Sequence, residues 1–218
     1  MKLEVEKWAS FQIKEILMIK NGKGITTEEI EENAGDFIVV QSGEENNGVI
    51  GKIDLNYCKF KGYTYTKKPC LTVARSGSAG FVSFQKNGCV VGDSAKILLL
   101  PDEVAKEENY LFLQTILSVN RFKYDYGRKV TEDKYMSDYI SLPAVAVGDK
   151  IKPDFEFMEN YIKSLHYKPL TTKNRPENAL ALDTHKWEEF RLGDIFECSS
   201  TFSLVKSDLD EAYGGGGG

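Results

Sequence analysis

Histidine and paired cysteines are the scarcest chemistry-bearing residues of this sequence. Only His166 and His185 occur among its 218 residues. The four cysteines are spread along the chain without a CxxC pair: Cys58, Cys70, Cys89 and Cys198. A structural zinc site is built from closely spaced Cys and His ligands. The sequence therefore contains no recognisable zinc site, and we expect reduced, packed thiols.

Long apolar runs are missing too. No run of eighteen apolar residues exists, whereas a membrane-spanning helix needs about 20. The opening MKLEVEKW also lacks the apolar stretch of a signal peptide. With 41% apolar and 28% charged residues, the composition is that of an ordinary globular protein. We expect a cytoplasmic protein with no membrane partner.

The familiar catalytic motifs are absent. The chain has no GxxxxGK[ST] phosphate loop, no GxSxG elbow and no HExxH helix. It contains no Pro-Pro pair, which the base-holding tetrapeptide of amino-methyltransferases requires. The segment PDFEF at 153–157 lacks the lysine of a nuclease carboxylate cluster. We therefore expect no catalytic residue, metal or cofactor on this chain, although an enzyme with an unrecognised site stays open.

The net charge of −5 conceals a segregation of acidic and basic residues. Acidic residues concentrate at 28–32, 103–108 and 208–211. The basic residues gather elsewhere: Lys20 and Lys23; Lys59, Lys61, Lys67 and Lys68; Arg121, Lys123, Arg128 and Lys129. Segregation permits one basic face on an acidic protein, as nucleic-acid binding requires. From charge alone, the simpler explanation is that these residues lie in solvated loops.

An internal repeat organises the chain. The segment KWASFQIKEIL at 7–17 recurs as KWEEFRLGDIF at 186–196, a period of 179 residues. A period of this length indicates one whole domain followed by the opening of a second. Two such domains suggest two similar contacts with a partner. We expect the repeated apolar residues Trp8, Phe11, Ile13 and Ile16 to be buried in a first strand.

The pattern of the first hundred residues favours strands. Residues 11–19 alternate as a strand does, and short β-rich runs follow at 37–40, 49–55, 63–66, 71–77, 80–85 and 95–100. Thr26 and Glu29 form a capping box for a helix through Ile30. Because turns separate these runs closely, we predict an α+β domain with a curved β-sheet or barrel core and short helices.

Helical spacing dominates the later part. Residues 109–122 read as a packed helix. Residues 155–165 form a second, shorter helix whose apolar stripe docks on its own domain or on a partner. The stripe consists of Phe157, Met158, Tyr161, Ile162 and Leu165. Two prolines and many polar residues then indicate a linker, and SLVKSDLDEA at 203–212 carries a further helix-capping pattern.

Three glycine-containing segments carry the residue types that contact DNA: RSGSAG at 75–80, NNGVIGK at 46–52 and YDYGRK at 124–129. In RSGSAG at 75–80, Arg75 can read guanine or pair with phosphate, and the backbone beside Ser76 and Ser78 can approach a phosphate. A tight hairpin explains the glycines equally well. In NNGVIGK at 46–52, Asn46 and Asn47 can pair with adenine edges. Exposed cations beside turns favour phosphate contacts: Lys20, Lys23, Lys52, Arg128 and Lys129.

The order of these segments resembles a known family. It runs WxxFxIxxI, NGKG, FIVVQSGEENNGVIGKI, LTVARSGSAG, VGDSAKIL, NYLFLQTIL, YDYGRK, ISLP and PDFEFMENYIKSL. This order resembles the first half of a DNA-specificity subunit of a Type I restriction-modification system. It is also similar to the specificity chains of bifunctional restriction systems that cut on both sides of their site. The resemblance covers residues 8–166 and restarts at Trp187.

The resemblance implies a non-catalytic subunit. Such subunits carry two target-recognition domains that read the halves of a split site in double-stranded DNA, and helices set the distance between them. Methyltransferase subunits that bind S-adenosylmethionine and modify adenine dock on those helices and on the domains, and a separate restriction subunit cleaves. Here the resemblance implies a recognition domain at 1–150, a shortened spacer helix and linker at 151–182, a truncated second repeat at 183–213 and a glycine tail at 214–218.

Two alternatives to a complete two-domain reader remain. Half-length subunits of this family can pair, so a homodimer of this chain could restore two domains and favour a symmetric site. The fold could also serve as a defence-related interaction module that does not read DNA. The DNA sequence recognised does not follow from these residues.

Overall fold

The computed structural model describes residues 3–125, 127–165, 185 and 187–197. The chain divides into two compact units, Met1–Tyr167 and Lys168–Gly218. The first unit reaches past residue 150 and includes the helix that the sequence analysis assigns to a spacer. The helix expected at 203–212, the linker residue His166 and the glycine tail lie outside the described residues.

The first unit alternates short strands with short helices. Its strands are β1 (Trp8–Gln12), β2 (Met18–Asn21), β3 (Ala34–Val40), β4 (Val49–Ile53), β5 (Tyr65–Thr66), β6 (Cys70–Ala74), β7 (Val82–Gln85), β8 (Cys89–Val91), β9 (Ala95–Leu99), β10 (Tyr139–Val147) and β11 (Lys150–Pro153). Its α-helices are α1 (Ile13–Ile16), α2 (Thr27–Glu32), α3 (Leu55–Lys61), α4 (Glu107–Val119), α5 (Glu132–Ser137) and α6 (Phe155–Ser164). Single 3₁₀ turns lie at Val5–Lys7, Asp102–Val104 and Asn120–Lys123, and Glu45–Gly48 forms a turn that contains left-handed residues.

These strands form three sheets. The first has the order β1-β10-β11, the second β2-β9-β6-β7 and the third β4-β3-β8-β5. All pairs are antiparallel except β3 with β8, which is parallel. The expected mixture of sheets and helices is confirmed. The described strands close no barrel, so that part of the expectation is not confirmed.

Apolar side chains form one large core and two smaller ones. The large core joins the first and second sheets to α4, and its residues Leu98, Leu113 and Leu142 are 0% exposed. A second core lies between the third sheet and α2 and α3, around Val39 and Ile53. The third core includes Cys70 and Cys89, whose sulfur atoms are 3.9 Å apart. In the described chain Cys58, Cys70 and Cys89 are buried free thiols; Cys198 lies outside it.

The expectation of one strand at 11–19 is wrong. A single helical turn, α1, separates β1 from β2, and the Leu17 N–H donates to the Ile13 carbonyl at 2.9 Å. The Glu15 carboxylate accepts the Gln12 N–H at 2.8 Å, which stabilises the start of the turn. The apolar alternation does not reveal this turn. A single helical turn is too short for the 3.6-residue period of a helix to be distinguished from the two-residue period of a strand.

The repeated apolar residues are largely buried, as expected, but not all in a strand. Phe11 is 8% exposed in β1, whereas Ile13 and Ile16, at 1% and 2%, lie in α1. Trp8 is half-buried, with its ring 5.9 Å from that of Phe112. These residues fasten the start of the chain to the large core.

Helix α3 is a second difference from the sequence analysis, which ends a strand at residue 55. Strand β4 ends at Ile53, and the Asp54 carboxylate accepts the Tyr57 N–H at 2.8 Å. This cap begins α3, which ends at Gly62 in the left-handed conformation, φ 64°. The capping box of α2 is confirmed, since Thr26 Oγ1 accepts the Glu29 N–H at 3.2 Å.

The second unit repeats one local element of the first. Its helix α7 (Leu192–Ile195) stands where the 179-residue period places the counterpart of α1. Residues 187–191, the counterpart of β1, have no regular secondary structure. In the part of the chain that is described, no helix is long and apolar enough to span a membrane.

Candidate nucleic-acid interface

The turn between β3 and β4 has an unusual backbone. Asn46, Asn47 and Gly48 are consecutive left-handed residues, with φ of 48°, 56° and 77°. Asn and Gly tolerate this region better than other residues do. The Gly48 carbonyl accepts the Gln41 N–H at 3.0 Å, which closes the turn. Both asparagine side chains are exposed, as a base contact requires.

The segment 75–80 follows β6 and lies beside that turn. Ser94, in the turn before β9, joins the two. Its carbonyl accepts the Arg75 N–H at 2.7 Å, and its hydroxyl accepts the Ser42 N–H at 3.0 Å. Two loops from different sheets are thereby held to one residue.

The segment 120–130 reaches the same place from the far end of α4. The Val130 N–H donates to the Arg75 carbonyl at 3.0 Å. A Cβ on Gly80 would lie 3.4 Å from the Cα of Arg121 and 3.2 Å from the Tyr124 ring, so the segments 75–80 and 120–130 are in contact. Arg128 lies over Tyr124, with its guanidinium carbon 5.8 Å from the ring centre. The three segments singled out in the sequence therefore converge.

An ion pair links all three segments. The Arg121 guanidinium bonds to the Glu44 carboxylate and lies 5.7 Å from the Phe81 ring centre. Arg121 and a hydrogen bond from Ser78 hold the pKa of Glu44 below its usual range. The adjoining cleft of about 510 Å³ is lined by Gly43, Glu44, Glu45, Asn46, Gly48, Val49, Ile50 and Ser78.

Arg75 is half-buried at the centre of this arrangement. Among the described residues its guanidinium makes no hydrogen bond or ion pair. No bond to a hairpin carbonyl therefore supports the structural alternative in this part of the chain. Lys96 lies near it, 6% exposed, and bonds to Asn21. Burial, and secondarily the charge of Arg75, lower the pKa of Lys96. Glu132, which bonds to Asn21, acts in the opposite direction on the Lys96 pKa. Two cations beside one carboxylate leave an excess of positive charge, which favours an anion or a guanine edge.

The remaining cations lie on different parts of the domain. Lys52 projects from the exposed face of β4 that also carries Ile50, a residue of the cleft. Lys20 instead lines a separate cavity with Lys67 and Lys68. Lys23 lies beside Gly62 at the end of α3. Lys129 is exposed, and Ser76 is half-buried next to Arg75.

Ser94, Arg121 and Lys96 are the residues that sequence reasoning missed as site residues. Arg121 belongs to a basic group visible in the sequence, but nothing local distinguished it from its neighbours. Ser94 occurs in a GDS turn between apolar runs, which predicts a turn and not its partners. Their roles depend on contacts between residues 19 to 77 positions apart.

The five residues of the proposed docking stripe divide by burial. Met158 is fully buried in the large core, and Tyr161 and Ile162 pack against it. Phe157 is half-buried and stacks on Tyr161, while Leu165 is 55% exposed. Trp8, Pro143 and Phe157 line a groove of about 390 Å³ together with Glu4, Lys7, Ala144 and Asp154. Within the described residues no cluster of metal-ligating side chains occurs.

Glu29 supports the end of the third sheet near Lys23. Its carboxylate accepts hydrogen bonds from Tyr63 at 2.7 Å and Tyr57 at 3.1 Å, and Lys61 lies 3.2 Å away. The Tyr63 bond, then the Thr26 N–H, lower the Glu29 pKa to about 2. Because the folded state holds the carboxylate ionised, this contribution to stability is present above the ordinary pKa of 4.5.

We predict that the Glu29 contribution is lost as the pH falls from 4.5 through about 2. Thermal unfolding of the wild type and of Glu29→Gln, measured across this range, should show a larger fall for the wild type. Glu31→Gln, exposed on the same helix, is the matched control and should follow the wild type. Parallel curves for wild type and Glu29→Gln would contradict the prediction.

Comparison with known proteins decides the family. The model of the Type I restriction modification DNA specificity domain matches residues 5–171. The chain belongs to this family. The resemblance stated from the sequence is thus confirmed, and residues 5–171 are a specificity domain.

Relatives place the specificity domain within longer proteins. It is 26% identical over 161 residues to the specificity subunit S.BcgI of a Type II restriction enzyme from Heyndrickxia coagulans, covering 74% of this chain and 44% of that protein. It is 30% identical over 146 residues to a putative type I specificity subunit, S.MpnORF507P, from Mycoplasma pneumoniae, covering 65% and 37%. The chain thus spans less than half the length of these relatives.

The chain also shows similarity to solved structures. One is an S subunit of a Type I restriction-modification system from M. genitalium, at 17% identity and a TM-score of 0.48, covering 65% of this chain and 36% of that one. The HsdS subunit from Thermoanaerobacter tengcongensis is 13% identical, with a TM-score of 0.48 and coverage of 75% and 38%.

Proposed function

We propose that the protein is a non-catalytic specificity chain that reads double-stranded DNA for partner subunits of a restriction-modification complex. The observation that carries the proposal is the convergence of the segments 42–48, 75–80 and 120–130 around Ser94, Arg75 and the Glu44–Arg121 pair. Each segment carries residue types suited to base edges or phosphates. Membership in the specificity-domain family supports it.

Within this proposal the residues of the site have two roles. Arg75, Asn46 and Asn47 reach base edges, because all three lie at the convergence and both asparagine side chains are exposed. Asn46 Nδ2 would release the Val49 carbonyl, 3.4 Å away, to do so. Lys23, Lys52, Arg128 and Lys129 contact phosphates and set the register, with Ser76 and Ser78 contributing hydroxyl groups and nearby backbone N–H groups. Lys20 lies in a separate cavity, so we assign it a phosphate contact at the edge of the footprint.

We further propose that a DNA adenine methyltransferase subunit, carrying S-adenosylmethionine, docks on the exposed side of α6. Leu165 is exposed and Phe157 is half-buried, as are Tyr161 and Ile162, so part of the stripe stays accessible. The groove beside Trp8 extends that surface. A restriction subunit would cleave. A homodimer of the chain would supply a second reading domain.

Selection from a randomised duplex library tests the reading function. The full chain, alone and co-purified with a methyltransferase partner, should enrich a defined motif. We expect weak binding alone and tighter binding with the partner, because a single domain on an acidic protein offers few phosphate contacts. No enrichment in either case would refute the proposal. Methyl transfer from labelled S-adenosylmethionine by the chain alone would refute its non-catalytic part.

The specificity chain of a bifunctional system that cuts on both sides of its site is a second candidate. The similarity to the specificity subunit of a Type II restriction enzyme favours it. Mapping the cleavage positions of the complex on a plasmid with one selected site separates the two candidates. Paired cuts flanking the site indicate the bifunctional system, and distant cuts indicate a Type I system.

Removal of single phosphate-contacting cations should change the salt dependence of DNA binding. We predict that Arg128→Ala and Lys52→Ala each weaken binding to every duplex and reduce the slope of log K against log salt by about one unit. Fluorescence anisotropy at several salt concentrations measures the slope. Lys163→Ala, which removes a cation paired with Glu159 on α6, is the control and should leave the slope unchanged. An unchanged slope in Lys52→Ala and Arg128→Ala would contradict the phosphate assignment.

A further inference from the structure

The carbonyl group of Asn47 is held by two buried side chains of another sheet. The Ser83 hydroxyl donates to this oxygen at 2.9 Å, and Gln85 Nε2 donates to it at 3.0 Å. Ser83 and Gln85 are 2% and 4% exposed on β7 of the second sheet. The turn that contains Asn47 connects β3 and β4 of the third sheet. The contact therefore joins the two sheets at the turn.

The hydrogen-bond capacity of this group of atoms is filled. Ser83 Oγ uses its one hydrogen on Asn47 and accepts from Gln85 Nε2 at 3.0 Å, and Thr72 Oγ1 lies 2.8 Å away. The Gln85 amide uses both of its hydrogens, one on Asn47 and one on Ser83. The Asn47 carbonyl accepts two bonds, which matches its two lone pairs. Without that carbonyl, one N–H of the Gln85 amide would be a buried donor with no acceptor, which is unfavourable.

The geometry of the turn needs such support. Three consecutive left-handed residues persist only where neighbouring structure holds them. The two carbonyls at the end of the turn are fixed, that of Asn47 by β7 and that of Gly48 by the Gln41 N–H at 3.0 Å. A Cβ at Gly48 would lie 2.8 Å from the Gln41 carbonyl oxygen, so the backbone has little room to shift. The exposed side chains of Asn46 and Asn47 are thus presented from a fixed backbone.

We propose that Ser83 and Gln85 are positioning residues that set the base preference of Asn46 and Asn47 without touching DNA. The inference rests on the proposed DNA-reading function and assigns part of its specificity to a buried hydrogen-bond network. Cutting the two bonds to Asn47 loosens the turn, so each asparagine samples orientations that no longer match a single base edge. Phosphate contacts elsewhere are untouched.

The test uses the full chain and the duplex found by library selection. Anisotropy titrations compare that duplex with singly substituted duplexes for the wild type, Ser83→Ala, Gln85→Leu and the double variant. Asn47→Gly identifies the base pairs that the turn reads. At those base pairs the double variant should lose discrimination roughly tenfold, while discrimination at the base pair sensitive to Arg75→Ala and the salt slope remain unchanged.

A matched control removes the same kind of bond elsewhere. Gln114 Nε2 donates to the Val82 carbonyl on β7 at 3.2 Å, so Gln114→Leu deletes a glutamine-to-backbone bond beside the same strand. It should keep the wild-type base preference. Hydrogen exchange adds a readout independent of DNA, since the Gln41 amide that bonds to Gly48 should exchange faster in Gln85→Leu and in Ser83→Ala but not in Gln114→Leu.

Several results would overturn the inference. One is an unchanged base preference in the double variant, and another is unchanged hydrogen exchange of the Gln41 amide in both single variants. A third is an equal loss of base preference at all base pairs, which would indicate a general loosening of the domain. If the double variant does not fold, the two single variants decide. A wild-type chain that selects no motif would instead refute the proposed function itself, whereas a selective wild type with an insensitive double variant refutes only this inference.

Discussion

Replacing Met158 by alanine is expected to lower the free energy of unfolding by about 2–5 kcal/mol. Met158 is 0% exposed and belongs to the large core, where α6 meets the body of the domain. Removing its side chain loses buried apolar area and leaves a cavity that the short helix can only partly close. Urea unfolding followed by circular dichroism measures the change.

Leu165→Ala is the matched control for Met158→Ala. Leu165 belongs to the same apolar stripe but is 55% exposed, so its replacement should change stability by no more than about 0.5 kcal/mol. Under the proposed docking of a methyltransferase subunit on α6, Leu165→Ala should weaken binding of that subunit more than Met158→Ala does. The reason is that the exposed residue is the one available to a partner. Equal stability of Met158→Ala and wild type would show that α6 is not part of this core.

The second large effect is expected at Arg75. Arg75→Ala should cost about 1–3 kcal/mol of discrimination at one base pair and relax the choice of base there. The guanidinium makes no hydrogen bond with the described residues and lies beside Lys96, so it has both charge and free donors for DNA. Titrations with the selected duplex and its single substitutions measure the loss.

Two comparisons separate reading from simple attraction at Arg75. Arg75→Lys keeps the charge but loses the planar pair of donors, so it should recover overall affinity more than base choice. Lys52→Ala should weaken every duplex by the same factor. If Arg75→Ala also weakens every duplex equally, Arg75 is a phosphate contact. If it mainly lowers the melting temperature, its role is structural.

Much of the local structure could be predicted from the sequence. The capping box at Thr26 and Glu29, the amphipathic helix α4 and the β-rich runs of the second sheet all appear where their patterns place them, within a few residues. These features depend on residues three or four positions apart or on alternation within one strand. The family also followed from the order of segments along the chain.

Errors arose where the local signal was short or ambiguous. The alternation at 11–19 predicts a strand where the single turn α1 forms, and the pattern does not separate α3 because its apolar residues continue those of β4. Strand β8, only three residues long at Cys89–Val91, has no periodicity of its own. It becomes a strand because β3 and β5 supply hydrogen-bond partners on its two sides.

The internal repeat also separates structure that the local sequence determines from structure that needs a distant partner. Helix α7 forms at the place of α1, because a helical turn closes its hydrogen bonds within a few residues. Residues 187–191 have the sequence counterpart of β1 but no strand, because β1 owes its conformation to pairing with β10. A strand completes its hydrogen bonds only with a partner that the local sequence does not contain.

The sequence by itself determined the residue types that can contact DNA, the glycines and asparagines that permit tight turns, and the family. Only the tertiary structure decided that Arg75 and the turn before β4 meet at Ser94, that Arg121 pairs with Glu44 of that turn, and that Met158 faces the core. It also decided that Lys20 lies in a different cavity. The physical reason is separation along the chain. Glu44 meets Arg121 across 77 residues and Asn47 meets Gln85 across 38, through the arrangement of two sheets that no local pattern encodes.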